Sequence, residues 1–469
     1  MDKNNGAIYD ARKLGKPKMI ILGIQHMFAM FGATILVPIL TGLDISTTLL
    51  MAGLGTLLFH CITKFKVPAF LGSSFAFLGG YAAIKAFSPN DPNSMLPYAC
   101  LGVACAGLIY FILAAVIKAV GIEKVMRFFP PVVTGPIIIA IGLGLAPSAV
   151  SNCTTNWFLA VVALAVIVVF NIWGKGMAKI IPIILGLLIS YGTGLVLYFI
   201  SQANPDLIQN VPWLFSGGAD ANGVYQPIFD FTSLNTICDN ISKGHIFGSE
   251  GLIGIPIHWD KTVFGGIDYS NGALIASSII AIVPIAFATM MEHIGDICAI
   301  SSTTGNNYIK DPGLHRTLVG DGLATTLASL FGGPANTTYG ENTGVLALTR
   351  VYDPRVIRIA AYFAVAVSFF PIVSVIIGSI PSCIIGGISF VLYGMISAIG
   401  VRNVVENKVD FTKSRNLIVA AVILVCALGL SSDTVSFTIG SAAITLSPLA
   451  VASIAGIVLN AVFPGKDYK

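Results

Sequence analysis

Charge is what this sequence has least of. Of its 469 residues only 10% are Asp, Glu, Lys or Arg, while 55% are hydrophobic and the mean hydropathy is +0.86. Ordinary soluble domains carry roughly 25% charged residues, so a soluble fold of this length could not clothe its surface with so few. Histidine is scarce too, with six in all, and the eight cysteines show no CxxC or His-rich spacing of the kind that holds a metal. No nucleophile–base set appears either. These absences exclude a soluble module, imply no metal or other cofactor and argue against an enzyme. The formal net charge of +4 is no sign of a nucleic-acid partner, because the basic residues sit in short segments between apolar runs.

Those runs are what the sequence has in abundance. MIILGIQHMFAMFGATILVPIL (19–40) and WFLAVVALAVIVVFNIW (157–173) are two of fourteen such spans, and about 20 apolar residues suffice to cross a bilayer as a helix. Lys and Arg favour the cytoplasmic side of membrane proteins. With both termini inside, 23 of the 26 Lys and Arg fall on inner segments, and only Lys85, Lys243 and Lys261 fall outside. A wrong span count would scramble that alternation. The polar start, MDKNNGAIYDARKLGKPK, leads into a full-length span rather than a cleavable signal. The expected class is an all-α polytopic membrane protein of the cell (inner) membrane, surrounded by lipid. Six cysteines lie in or beside spans. Cys153 and Cys238 fall on the outer face, where they either pair or stay free thiols.

A polar segment, 201–270, with seven acids and two lysines, divides the chain into seven spans and seven spans. It is expected to be a long external loop, partly folded. An odd half-number forces the second half to cross in the opposite sense, which is the arrangement of an inverted repeat. PAFLGSSFAFLGG (68–80) in span three and PANTTYGENTGV (334–345) in span ten echo each other: each begins Pro-Ala, passes through Ser or Thr and an aromatic, and is flanked by glycine. Both read as broken helices with a short extended piece. Unpaired backbone at mid-membrane depth is tolerated only where it is buried in protein or lines a cavity. The two extended segments are therefore expected to meet. The helices that resume after them then point free N–H groups at whatever lies between.

Acids inside spans are costly and are usually functional. Glu341 lies in span ten, and Glu292 and Asp296 lie in span eight (ATMMEHIGDICAI, 288–300). Residues four apart share a helix face. Two carboxylates close together in a low dielectric repel, which favours keeping a proton between them. Such a pair suits proton coupling. Asp296 has a plainer alternative, capping a helix end or bonding a hydroxyl. His26 in span one is either a core histidine that braces the next helix or a proton-handling group. His293 and Asp321 read as structural. Phe75, Tyr339 and Tyr393 are placed to wall a flat ring, and a planar heterocycle with N–H donors suits carboxylate acceptors plus backbone N–H donors.

These residues together resemble the nucleobase–ascorbate transporter family. ENTGVLALTR (341–350) fits its signature, and DPGLHR (311–316), NTTYGEN (336–342), LGSSFAF (71–77), QHMFAMFGAT (25–34), MEHIG (291–295) and VLYGMISAIGVRNVVENKVDF (391–411) are similar to its bacterial uracil-permease branch. The resemblance runs from about 20 to 465, the 201–270 loop excepted. It implies a 7+7 inverted repeat with core and gate domains. After a tail at 1–18, the core takes 19–128 and 271–378 and the gate takes 129–200 and 379–465. It also implies a homodimer in which the core slides, elevator-like, against the gate. The implied activity is uracil import by proton symport, with the proton preferred to sodium as coupling ion. The alternatives are xanthine or another base, and more remotely an anion exchanger or channel of similar fold. By the same resemblance Glu292, Glu341, Phe75, Gly340, Tyr339, Ala33 and Tyr393 would bind substrate, with Glu292, Asp296 and His26 handling the proton. Position 296 departs from the uracil-permease pattern, having Asp where that pattern has His, as purine-carrying relatives do.

Overall fold

The computed structural model describes residues 7–127, 130–430, 436–439 and 442–465. Of these, the side chains of Ala33, Met126, Met177, Ile180, Glu341 and the 436–445 segment lie outside the described residues. Helices of eight residues or more are α1 (Lys16–Thr41), α2 (Ile45–Ile62), α3 (Leu78–Lys85), α4 (Leu96–Val120), α5 (Pro131–Cys153), α6 (Trp157–Trp173), α7 (Pro182–Ala203), α8 (Thr232–Ser242) and α9 (Gly272–Ile282). They continue with α10 (Ala286–Thr304), α11 (Leu314–Leu330), α12 (Gly340–Thr349), α13 (Pro354–Ser368), α14 (Pro371–Gly378), α15 (Ser382–Glu406), α16 (Ser414–Gly429) and α17 (Pro448–Val462). The strands are β1 (Leu71–Ser73), β2 (Ser216–Ala219), β3 (Tyr225–Pro227), β4 (Asn336–Thr338), β5 (Ser436–Ile439) and β6 (Ala442–Thr445), which pair as β1–β4, β2–β3 and β5–β6.

An element stands at each of the fourteen expected places, and spans three and ten are the short strand–helix segments β1–α3 and β4–α12. Among the described residues seven helices are long and apolar enough to cross a membrane, or eight if the bent pair α13–α14 is one span, so helix length alone does not establish fourteen crossings. The starts are written in the sequence. The Asp44 side chain accepts from the Thr47 N–H and the Asn156 side chain from the Leu159 N–H, each capping its helix. Pro182, Pro371 and Pro448 begin helices, where their missing N–H costs nothing. Pro284 lies in the 3-10 turn Val283–Ile285 between α9 and α10, for the reason that proline cannot continue the helical ladder.

The chain forms two compact units, 1–144 with 257–366 and 396–469, and 145–256 with 367–395. In the first, α4 crosses α11 at a mutual glycine contact: a Cβ on Gly107 would lie 2.7 Å from the Gly322 carbonyl oxygen, and one on Gly322 would lie 2.6 Å from that of Gly107. Without water to squeeze helices together in lipid, such small-residue contacts bring backbones close enough for dispersion to act. The 201–270 segment is folded rather than a bare loop, its 201–256 portion, in the second unit, carrying the β2–β3 hairpin and α8. Phe229 stacks on Phe231 with centroids 5.2 Å apart, and Tyr198 of α7 packs edge-on to both. Cys153 is buried, Cys238 is exposed and both are free thiols, so of the two readings the unpaired one holds.

Candidate functional site

The site forms where two short strands replace helix. β1 pairs antiparallel with β4 in the register Leu71↔Thr338, Gly72↔Thr337 and Ser73↔Asn336. Two further bonds extend the ladder: the Ser74 N–H donates to the Ala335 carbonyl (2.8 Å) and the Tyr339 N–H to that of Phe70 (3.0 Å). Antiparallel pairing is what two segments crossing in opposite senses would give. It satisfies backbone groups that have no water partner at this depth.

The outward edges of the ladder are closed by side chains. On α2, the Thr56 hydroxyl accepts from the Leu71 N–H (2.9 Å) and donates to the Leu71 carbonyl (3.2 Å), and His60 Nε2 lies 2.9 Å from the Ala69 carbonyl. Thr325 of α11 donates to the Asn336 carbonyl, and the Asn336 amide donates to the Met51 carbonyl at 2.9 Å. Gly55 leaves room for that amide, which a Cβ there would strike. From α1, the Thr34 carbonyl accepts from Ser73 Oγ (3.1 Å), and the Thr34 hydroxyl donates to the Tyr339 hydroxyl (3.3 Å). The Tyr339 hydroxyl in turn donates to the Ser73 carbonyl at 2.9 Å. Gly72 is obligatory, since a Cβ there would lie 2.5 Å from the Tyr339 ring.

The acids approach from α10. Asp296 is half-buried, and its Oδ2 accepts from the Thr338 hydroxyl at 2.9 Å. Its Oδ1 lies 3.4 Å from where a Cβ on Gly340 would stand, at the first turn of α12. A carboxylate beside a helix N-terminus is stabilised by the free N–H groups there. Behind it, His293 Nδ1 lies 3.4 Å from the Thr338 hydroxyl and 3.4 Å from Asp321 Oδ2, with His293 and Asp321 fully buried. His293 and Asp321 are thus interhelical partners, as their positions implied. The hydroxyl contact of Asp296 matches the plainer of its two readings.

Glu292 is half-buried one turn earlier on α10. Phe75 is buried just after β1, Tyr339 is the last residue before α12, and Gly340 and Glu341 open that helix. The side chains of Ala33 and Glu341 lie outside the described residues, so their substrate-binding roles rest on the sequence. Tyr393 is buried on α15 in the second unit. His26 corrects one expectation: it is fully buried, yet neither ring nitrogen has a partner among the described residues, so it is not a satisfied core histidine. Asn342 is similar, with both amide atoms buried and unpartnered among the described residues. Sequence reasoning gave no hydrogen-bonding role to Asn342, Thr338, Thr34 or Thr56. A cluster of hydroxyls in otherwise greasy helices was the available signal, since each such group must find a partner. Among the described residues no group of three metal-binding side chains occurs.

Comparison with known proteins fits this arrangement. A family model described as the permease family matches residues 17–436. The uracil permease of Bacillus caldolyticus is 38% identical over 95% of this chain and 92% of its own length, and that of Bacillus subtilis is 37% identical over the same shares. Among solved structures, the transmembrane domain of a cyanobacterium bicarbonate transporter, BicA, aligns with a TM-score of 0.57 over 96% of this chain and 99% of its own, at 13% identity, a likeness of fold. The chain therefore belongs to the permease family, the nucleobase–ascorbate transporters that its motifs resemble, and is a multi-pass membrane transporter rather than an enzyme.

Proposed function

We propose that this chain imports uracil by proton symport. The observation that carries the reading is the β1–β4 pair, with Asp296 of α10 set against Thr338 and the start of α12. A planar base placed there meets backbone N–H donors at Phe75 and Gly340 and carboxylate acceptors at Glu292 and Glu341. Phe75, Tyr339 and Ala33 wall its ring. Glu292 takes up a proton from outside, with Asp296 and His26 as the further proton-handling groups, and the neutralised, loaded core moves inward against the gate. The relatives named uracil permease support the choice of base. The division into core (19–128, 271–378) and gate (129–200, 379–465), the elevator-like movement, the homodimer, the inner-membrane location and the cytoplasmic termini belong to the same proposal. So does the proton, in preference to sodium.

The test is uptake of labelled uracil by cells lacking their own carrier, with and without a protonophore. Uptake that ignores the protonophore removes the proton from the mechanism. One observation favours a second reading. Asp at 296, hydrogen-bonded to Thr338, is by the resemblance what some purine-carrying relatives have, so xanthine is the rival cargo, and competition by unlabelled bases separates the two. Anion exchange is disfavoured by the acids of the site, which would repel an anion.

A further inference from the structure

The N-terminal segment is not a loose tail. Residue Ile8 forms a parallel bridge with Val351, its N–H donating to the Arg350 carbonyl and its carbonyl accepting from the Tyr352 N–H, each at 2.8 Å. The Tyr9 hydroxyl donates to the carbonyl of Thr304 at 2.7 Å, and the Tyr9 ring packs edge-on to Tyr352. Asp10 accepts from Arg355 Nη1 at 2.9 Å, and the Ala11 N–H donates to Asp353 Oδ2 at 2.7 Å. Beneath these polar ties Ala11, Val351 and Val356 form a small buried cluster, packed against by Ile8, Leu14, Met19 and Leu22.

Two of the anchors have a meaning that the others lack. Thr304 is the last residue of α10, and Arg350 caps the end of α12. These are the helices that carry Glu292 and Asp296, and Gly340 and Glu341. Their site-bearing turns meet through Asp296, Thr338 and the start of α12, with His293 of α10 also in reach of Thr338. A helix is stiff along its length, so fixing the far ends limits how α10 and α12 splay at the site. We propose that residues 8–14 are a positioning strap, which joins the far ends of α10 and α12 and so sets the spacing of the acids that bind the base. Tyr9, Asp10 and Arg355 are positioning residues in this scheme, since none of them reaches the site.

The substrate part of this inference rests on the uracil reading, so two separate measurements test it. Hydrogen exchange on the full-length protein without any base reads the strap alone. The amides of Ile8, Ala11 and Tyr352 should be protected, and Asp10→Asn with Tyr9→Phe should release them. Fast exchange at these amides in the unaltered protein overturns the strap. In uptake assays the released variant should raise the half-saturating uracil concentration between about three- and thirty-fold. A disulfide between Ile8→Cys and Val351→Cys, placed in the same background, should restore it. A strap shown open by exchange, with half-saturation and maximal rate both unchanged, overturns the positioning role, and so does a failure of the disulfide to restore affinity. Absence of uracil uptake by the unaltered protein would instead sink the transport reading and leave exchange to decide the strap.

Discussion

At the scale of single residues, the site depends on hydroxyls as much as on acids. Thr338 Oγ1 lies within reach of Asp296, at 2.9 Å, and His293, at 3.4 Å, and His293 leads on to Asp321. Thr338→Val keeps the volume and removes a hydroxyl that joins β4 to α10. It should cost about 1–3 kcal/mol, because Asp296 then loses a partner, and detergent-solubilised thermal unfolding would measure the drop. Glu292→Gln keeps shape and hydrogen-bonding capacity but cannot carry a proton, so uracil uptake should fall at least tenfold, and full uptake would remove Glu292 from the mechanism. Gly72→Ala should be worse than its size suggests, since its methyl would lie 2.5 Å from the Tyr339 ring. Overpacking of that kind costs typically 1–3 kcal/mol, or about that, and Tyr339→Phe would not relieve it, because the clash is with the ring. The acids were legible in the sequence because a carboxylate in an apolar run has few reasons to be there. The threonines were not, because a hydroxyl in a helix can always bond back to its own backbone, as those of Thr41 and Thr63 do here.

At the scale of elements, the two Pro-Ala segments were expected to break their helices and meet, and β1 and β4 do pair. The reason they were legible is local: Ser73, Ser74, Thr337 and Thr338 favour extended backbone, and glycines bound them. What local sequence could not show is how the pair's outer edges are closed. Thr56, Thr325 and Asn336 do this from α2, from α11 and from β4 itself. Asn336→Ala leaves the Met51 carbonyl without its amide donor, so it should lower the unfolding midpoint while Asn336→Asp, which cannot donate when ionised, lowers it further. The break in span eleven between α13 and α14 was also unexpected. Phe369 and Phe370 hide it, being as apolar as a continuous helix, and Pro371 permits it by starting a new helix. At the crossing of α4 and α11, Gly322→Leu should separate the helices and abolish folding, because it meets the Tyr110 Cβ and the Gly107 carbonyl, neither of which can give way.

At the scale of the whole molecule, the N-terminal strap makes a prediction that bears on proton coupling. The Arg12 side chain, hydrogen-bonded to Asp10, holds its carboxyl well below the usual carboxylate range, and Arg355 acts in the same sense. A depressed carboxyl stabilises the fold above its ordinary value and loses that contribution only as pH falls through the lower one. Arg355 Nη1 also donates to Asp353 Oδ2, at 3.1 Å. The strap should therefore stay closed from pH 7 to pH 5, with exchange at Ile8 and Tyr352, corrected for intrinsic rate, unchanged between them. Composition and the placement of Lys and Arg were enough to determine a polytopic membrane protein, since lipid tolerates so few charges and the loops must hold the rest. The family was reached through the resemblance of its motifs, and small polar clusters marked where the chain breaks. The tertiary structure decided which polar groups meet: that Asp296 faces Thr338, that His26 and Asn342 are buried without partners among the described residues, and that residue 8 reaches residue 351. Such pairings join residues tens to hundreds of positions apart, and no local propensity encodes them, because each depends on how whole helices pack.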